Sequence, residues 1–104
     1  METQEIWKPI VGYDTYEVSN TGKVKSIKRN VVLKPQTNSS CGMLQVMLWR
    51  KSHAKIHYIH RLVAQAFVEN PNNYRYVKHH DNDYQNNNAD NLYWAKQINP
   101  KTKR

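Results

Sequence analysis

His79 opens a segment crowded with hard oxygen atoms: Asp81, Asp83, Asn86-Asn87-Asn88, Asp90 and Asn91. A neutral imidazole near pH 7 can take a proton from water. Carboxylate and amide oxygens suit Mg2+, which takes one or two protein oxygens and completes its shell with phosphate and water. Hydrolysis of a phosphodiester needs both parts, an activated water and positive charge beside the phosphate and the leaving oxygen. His79 is therefore the candidate base, and Asp81 and Asp83 are candidate ligands for Mg2+ or Mn2+. Its neighbour His80 reads as a solvent-facing or phosphate-contacting residue.

Charge points to the substrate. The 104 residues carry a net charge of +8, and no Asp or Glu falls between Val18 and Val68. That stretch holds Lys23, Lys25, Lys28, Arg29, Lys34, Arg50, Lys51, Lys55 and Arg61. A polyanion explains such one-sidedness, because each neutralised phosphate releases condensed counterions. Segments 23–29 and 50–55 are the expected contact surface on duplex DNA, made largely through phosphates; Arg61, Lys78 and His60 are further candidates, His60 alternatively packing at the helix start. A two-stranded antiparallel ribbon also fits the major groove.

The elements that must position these residues follow from periodicity. Ile6–Ile10 reads as a strand edge, Gly12-Tyr13-Asp14 as a turn and Tyr16–Ser19 as a strand. Asn20-Thr21-Gly22 is a tight turn, with residues that tolerate positive φ. Residues 23–28 alternate up to a strand end or bulge near Ser26, and 31–33 form a short strand. Leu44, Val46 and Leu48 alternate with Gln45, Met47 and Trp49, which predicts a half-buried strand. Residues 50–53 read as a charged hairpin turn and 55–59 as the return strand. From Arg61 the period becomes helical, with Leu62, Val63, Ala66 and Phe67 on one stripe. Strands are predicted over 74–79 and 92–94, either side of a polar loop over 81–88. Asn99-Pro100 has the form of a helix start. Trp7, Phe67 and Trp94 are expected in the core.

Residues 5–34 carry Glu-Ile-Trp-Lys-Pro-Ile, Gly-Tyr-Asp and Tyr-Glu-Val-Ser-Asn-Thr-Gly-Lys-Val in order. This resembles the modular N-terminal domain that accompanies phage HNH endonucleases. Residues 59–94, with Ile-His-Arg-Leu-Val-Ala followed by the His79 to Trp94 segment, resemble the His-Asn-His nuclease module itself. The resemblance implies an α+β fold, with a small N-terminal antiparallel sheet (1–56) packed on a ββα-metal, or His-Me finger, module (57–104). It also implies cutting or nicking of duplex DNA with a divalent ion, in the manner of group I intron homing endonucleases. His79 matches the general base, and Asn91 the middle Asn that braces the loop and orients the histidine. Asn99 matches a metal ligand. The residue before the base often supplies another ligand in relatives; here it is Lys78, so Asp81 or Asp83 would have to provide that oxygen.

The single Cys41 excludes an internal disulfide and a zinc site built on paired thiolates. The start of the chain lacks a secretion signal and no apolar run is long enough to span a bilayer, so a cytoplasmic location in a phage or bacterial host cell is expected. A lone active site cuts one strand, so the expected species is a nicking monomer, with a dimer as the alternative. The same residues admit two other readings: a DNA-binding protein with impaired catalysis, given Lys78 and a short last helix, or a protein-directed inhibitor or adaptor reusing the fold.

Overall fold

The structure is a computed structural model that describes residues 4–96. Its strands form three antiparallel sheets. The first is β1 (Trp7–Ile10), β2 (Tyr13–Ser19), β3 (Val24–Ser26) and β4 (Val31–Val32), in that order. The second joins β5 (Gln36–Thr37), β6 (Leu44–Arg50) and β7 (His53–Tyr58). The third is the pair β8 (Tyr76–His79) and β9 (Leu92–Ala95), preceded by a 3-10 turn over Ala89–Asn91. The helix α1 (Ile59–Phe67) packs against members of all three sheets.

That central position explains why so much of α1 is buried. Of the expected stripe Leu62 and Val63 are buried while Ala66 and Phe67 are only partly so, and Ile59, His60 and Ala64 are buried in addition. A helix with sheets on more than one side needs a wider inward face than the usual stripe. Val18, Val24, Leu48, Ile59, Val63 and Ala64 are almost completely buried between the layers. Each such Val, Leu or Ile contributes about 1.5–3 kcal/mol of burial free energy. Phe67 and Trp94 pack at the edge of this core, and the Trp94 indole N–H donates to the Val68 carbonyl. Trp7 departs from expectation: it lies half-exposed beneath Lys25, whose Nζ is 4.6 Å from its ring centroid.

Several boundaries differ from the periodicity reading for physical reasons. Tyr13 and Asp14 begin β2 rather than forming a turn, because the bend is made by Val11 and Gly12, with Gly12 at φ +87°. Ile59 opens the helix directly after β7, since burial in the core outweighs its β-branched preference. The division expected between residues 56 and 57 falls inside β7, whose Tyr58 still pairs with Gln45 of β6. β5, two exposed polar residues, has no periodic signal at all.

The β2–β3 turn couples the N-terminal sheet to the loop after His79. Ser19 is fully buried, and its Oγ accepts from the Thr21 and Lys23 backbone N–H groups at 3.2 and 3.1 Å. Such short-range hydroxyl bonds lock a turn. The Asn20 carbonyl accepts from Ala89 N–H at 2.8 Å, tying the turn to the 3-10 segment. Gly22 sits at φ +97°, and a Cβ there would lie 3.0 Å from Asn87 Cβ and 3.1 Å from Asn87 O. Gly22→Ala therefore combines a left-handed backbone with a tight contact that the loop must shift to relieve. We expect it to cost roughly 1–3 kcal/mol, read as a lowered midpoint in thermal melting; an unchanged midpoint would show that the turn and the loop do not meet.

Candidate active site

His79 is the last residue of β8, and alternation along that strand decides where its ring goes. Val77 and His79 point inward while Tyr76 and Lys78 are partly exposed. His79 is consequently 5% exposed, with the His60 ring 5.3 Å and the Tyr84 ring 5.6 Å away between centroids. Its Nε2 lies 2.8 Å from Oδ1 of Asn87, itself buried. A carbonyl oxygen only accepts, so this contact is a hydrogen bond when Nε2 carries the proton, and the lone pair of the neutral ring is then on Nδ1.

Asn91 has a different task. Its Nδ2 donates to Asp81 Oδ1 and to the Asn86 carbonyl, at 2.9 and 2.8 Å, and its Oδ1 accepts from the Asp81 N–H at 3.3 Å. Its carbonyl also accepts from His80 N–H at 2.8 Å. Asn91 thus bonds to groups of the loop, whereas the amide placed on the imidazole is that of Asn87. The sequence marks Asn87 only as one of several oxygen-bearing residues after His79. The available signal was chemical: a buried neutral histidine needs an acceptor or donor of its own.

Asp81 is the hub of the loop. Its Oδ1 accepts from Asp83 N–H and Asn91 Nδ2, and its Oδ2 from Asn86 Nδ2. The Asn86 amide, then the Asp83 N–H and the Asn91 amide, hold its carboxyl down at about 2 from the usual 3.8. Asp83 accepts in turn from Gln85 N–H. Asp81 and Asp83 are exposed and offer hard oxygens, which fits a Mg2+-type ion needing one or two carboxylates plus phosphate. Among the described residues no three His, Cys, Asp or Glu side chains converge as a ready-made metal cage. Asn99, the other expected ligand, lies outside the described residues.

The cations are placed unevenly. Lys23 and Lys25 sit near Glu5 and Glu17, at 4.0 and 3.8 Å, loose pairs of small energetic worth. Arg61 donates to the Arg75 carbonyl at 2.8 Å and lies over Trp94. Lys28, Arg29, Arg50 and Lys51 line one cleft, and Lys55 is exposed on β7. Lys78 is partly exposed on the outward side of β8. His80 is exposed and stacks on Tyr93 at 4.5 Å. His60 is 5% exposed, so its ring lies inside the protein and not on the surface with the other expected DNA contacts.

His60 and Asn87 each leave one buried polar atom without a hydrogen-bond partner, Nδ1 and Nδ2 respectively. Both belong to side chains grouped around His79, and unsatisfied buried groups of this kind are costly and call for an explanation. No helix among the described residues is long and apolar enough to cross a membrane.

This arrangement of strands and helix has a counterpart among solved structures, and the sequence has relatives of named class. Residues 5–49 match the NUMOD4 motif. The DNA endonuclease I-HmuI of Bacillus phage SP01 is 40% identical over 92 residues, a match covering 88% of this chain and 52% of I-HmuI. The uncharacterized HNH endonuclease L245 of Acanthamoeba polyphaga mimivirus is 43% identical over 87 residues, covering 84% of this chain and 26% of L245. A solved structure described as DNA binding and cleavage by the HNH homing endonuclease I-HmuI superposes with a TM-score of 0.83 at 40% identity, over 88% of this chain and 53% of that one. By sequence and fold the chain is a homologue of the HNH endonucleases and carries a NUMOD4 motif. It spans about half the length of I-HmuI and about a quarter of L245.

Burial holds the His60 ring neutral, lowering it to about 4 from 6.5, with His79 and then Arg61 adding to the effect. The unfolded chain then binds the proton more readily than the folded one between these two values. Folding stability from this residue is therefore complete above about 6.5 and falls as pH drops towards about 4. Urea unfolding at pH 7, 5.5 and 4.5 should show this loss, and His60→Leu should flatten it. Asp81 contributes its own loss only below about 3.8. An equal pH slope in wild type and variant would contradict the burial of an uncharged His60.

Proposed function

We propose that this protein is an HNH-type endonuclease that hydrolyses phosphodiester bonds of duplex DNA, nicking one strand as a monomer. In this reading His79 is the general base. Asn87 Oδ1 keeps the proton on Nε2, which directs the Nδ1 lone pair to the attacking water. The Asp81–Asn86–Asn91 bonds keep the loop, and with it Asn87, from moving away from the imidazole. Burial between His60 and Tyr84 restricts the ring to one orientation, which is what a positioned base requires.

A divalent ion, Mg2+ or Mn2+, would be held by Asp81 and Asp83 together with Asn99, and would stabilise negative charge on the phosphate and leaving oxygen. The sheets up to Tyr58 serve as the DNA-holding part, through Lys23, Lys25, Lys28, Arg29, Arg50, Lys51 and Lys55. The segment from Ile59 onward does the cutting, with Arg61 and Lys78 as phosphate contacts near it. The single observation that carries the reading is the buried His79–Asn87 bond in a homologue of HNH endonucleases.

A second reading keeps the DNA binding and drops the cutting. Its support is Lys78, an ammonium directly before the imidazole in a place where a metal would meet repulsion, and the near-complete burial of His79. Supercoiled plasmid separates the two. With Mg2+ or Mn2+ we expect open circles from the wild type, and a rate roughly 10²–10⁴ lower for His79→Ala, the usual worth of a general base. Plasmid that is bound but stays supercoiled would establish the second reading. Equal nicking by both proteins would remove His79 from the mechanism.

A further inference from the structure

The turn after β3 and the tip of the β6–β7 hairpin line a common cleft of about 990 Å3. Lys28, Arg29, Arg50 and Lys51 set four positive charges around it, against one carboxylate, Asp14. Trp49 is in the same wall and is 54% exposed, which is unusual for a side chain with so much apolar surface to lose to water.

The walls are tied together. Trp49 N–H donates to Tyr16 Oη at 3.2 Å, and Arg50 Nη1 donates to the Gly12 carbonyl at 3.1 Å. The Arg50 guanidinium also lies 5.7 Å from the Tyr13 ring centroid, so Arg50 is held against the cleft. At the hairpin tip Lys51 and Ser52 have φ of 51° and 71°, in a two-residue turn usually made by Asn-Gly. A lysine kept in that conformation costs stability and leaves its cation beside the cleft.

Four cations suit phosphates, whereas an indole offers a phosphate one N–H and is otherwise a flat apolar ring. Its flat face suits a nucleobase, and inside a duplex both faces of every base are covered by neighbours. A base becomes available at a kink, a bulge or a single-stranded stretch. The cleft volume lies within the ~300–1,000 Å3 range of ligand sites. A purely apolar partner would have to bring its surface against four charged side chains, which charge complementarity disfavours.

We propose that this cleft receives a nucleotide whose base has left the helical stack, Trp49 stacking on the base while Arg50, Lys51, Lys28 and Arg29 hold the adjoining phosphates. The proposal rests on the DNA-binding part of the function above and adds a preference for distorted over regular duplex. Fluorescence anisotropy with the full chain tests it, using a matched duplex and the same duplex carrying one bulged nucleotide. The wild type should bind the bulged duplex roughly 5- to 100-fold more tightly, the worth of one base–aromatic stack. In Trp49→Ala that ratio should fall to about one, and Trp49→Phe should keep part of it, which separates stacking from a folding defect. Salt-sensitive binding of both duplexes with no bulge preference, or a preference that survives in Trp49→Ala, overturns this proposal alone. Absence of binding to either duplex by the wild type overturns it together with the DNA-binding reading.

Discussion

The hydrogen bond between His79 and Asn87 is the constraint on which the rest of the site depends. Both side chains are buried, so water cannot replace a lost partner there, and misplacing either leaves an unsatisfied polar group in the interior. Asn87 is in turn held from two directions. Gly22 of the β2–β3 turn approaches it so closely that an added Cβ would crowd Asn87 at 3.0–3.3 Å, and Ala89, two residues on, donates to Asn20. The N-terminal sheet therefore helps to position the imidazole, although it contributes no atom to it. This gives the order of the motifs a physical reason: the Val-Ser-Asn-Thr-Gly turn is the support on which the later loop rests.

The helix α1 links the same parts through the core. Its apolar stripe joins the sheets, while His60 on its second buried stripe stands against His79. The two ring centroids stand 5.3 Å apart inside the protein, and burial keeps the His60 ring uncharged. A neutral ring is also the state in which a histidine can act as a base. Outside the core, loose ion pairs at Lys23 and Lys25 contrast with the four cations gathered around the Trp49 cleft, so positive charge is more concentrated at the hairpin tip than along β3.

Much of this was legible in the residues, and what was not has identifiable causes. Alternation in Leu44–Trp49, the stripe through Leu62 to Phe67 and the Asn-Thr-Gly turn specify local structure because period and backbone freedom are local properties. The separation into three sheets was hidden, since strand partners are chosen by tertiary packing. β5 was hidden because two exposed polar residues carry no pattern. The His-to-Asn arrangement was half legible. Asn86, Asn87, Asn88 and Asn91 are chemically alike, and only the path of the loop decides that Asn87 turns to the ring while Asn91 turns to Asp81. For His60 the residue type leaves packing at the helix start and phosphate contact both open; its burial follows from sheets packing on both sides of α1.

Nitrogen NMR on the protein with 15N-labelled histidine reads the decisive feature directly, by locating the proton on the neutral imidazole of His79. Nitrogen shifts and couplings should place it on Nε2, with Nδ1 carrying the lone pair, and the Asn87→Ala variant should lose that strict preference. A proton found on Nδ1 would mean that the Asn87 amide donates through Nδ2 instead, and the proposed orientation of the base towards water would be wrong.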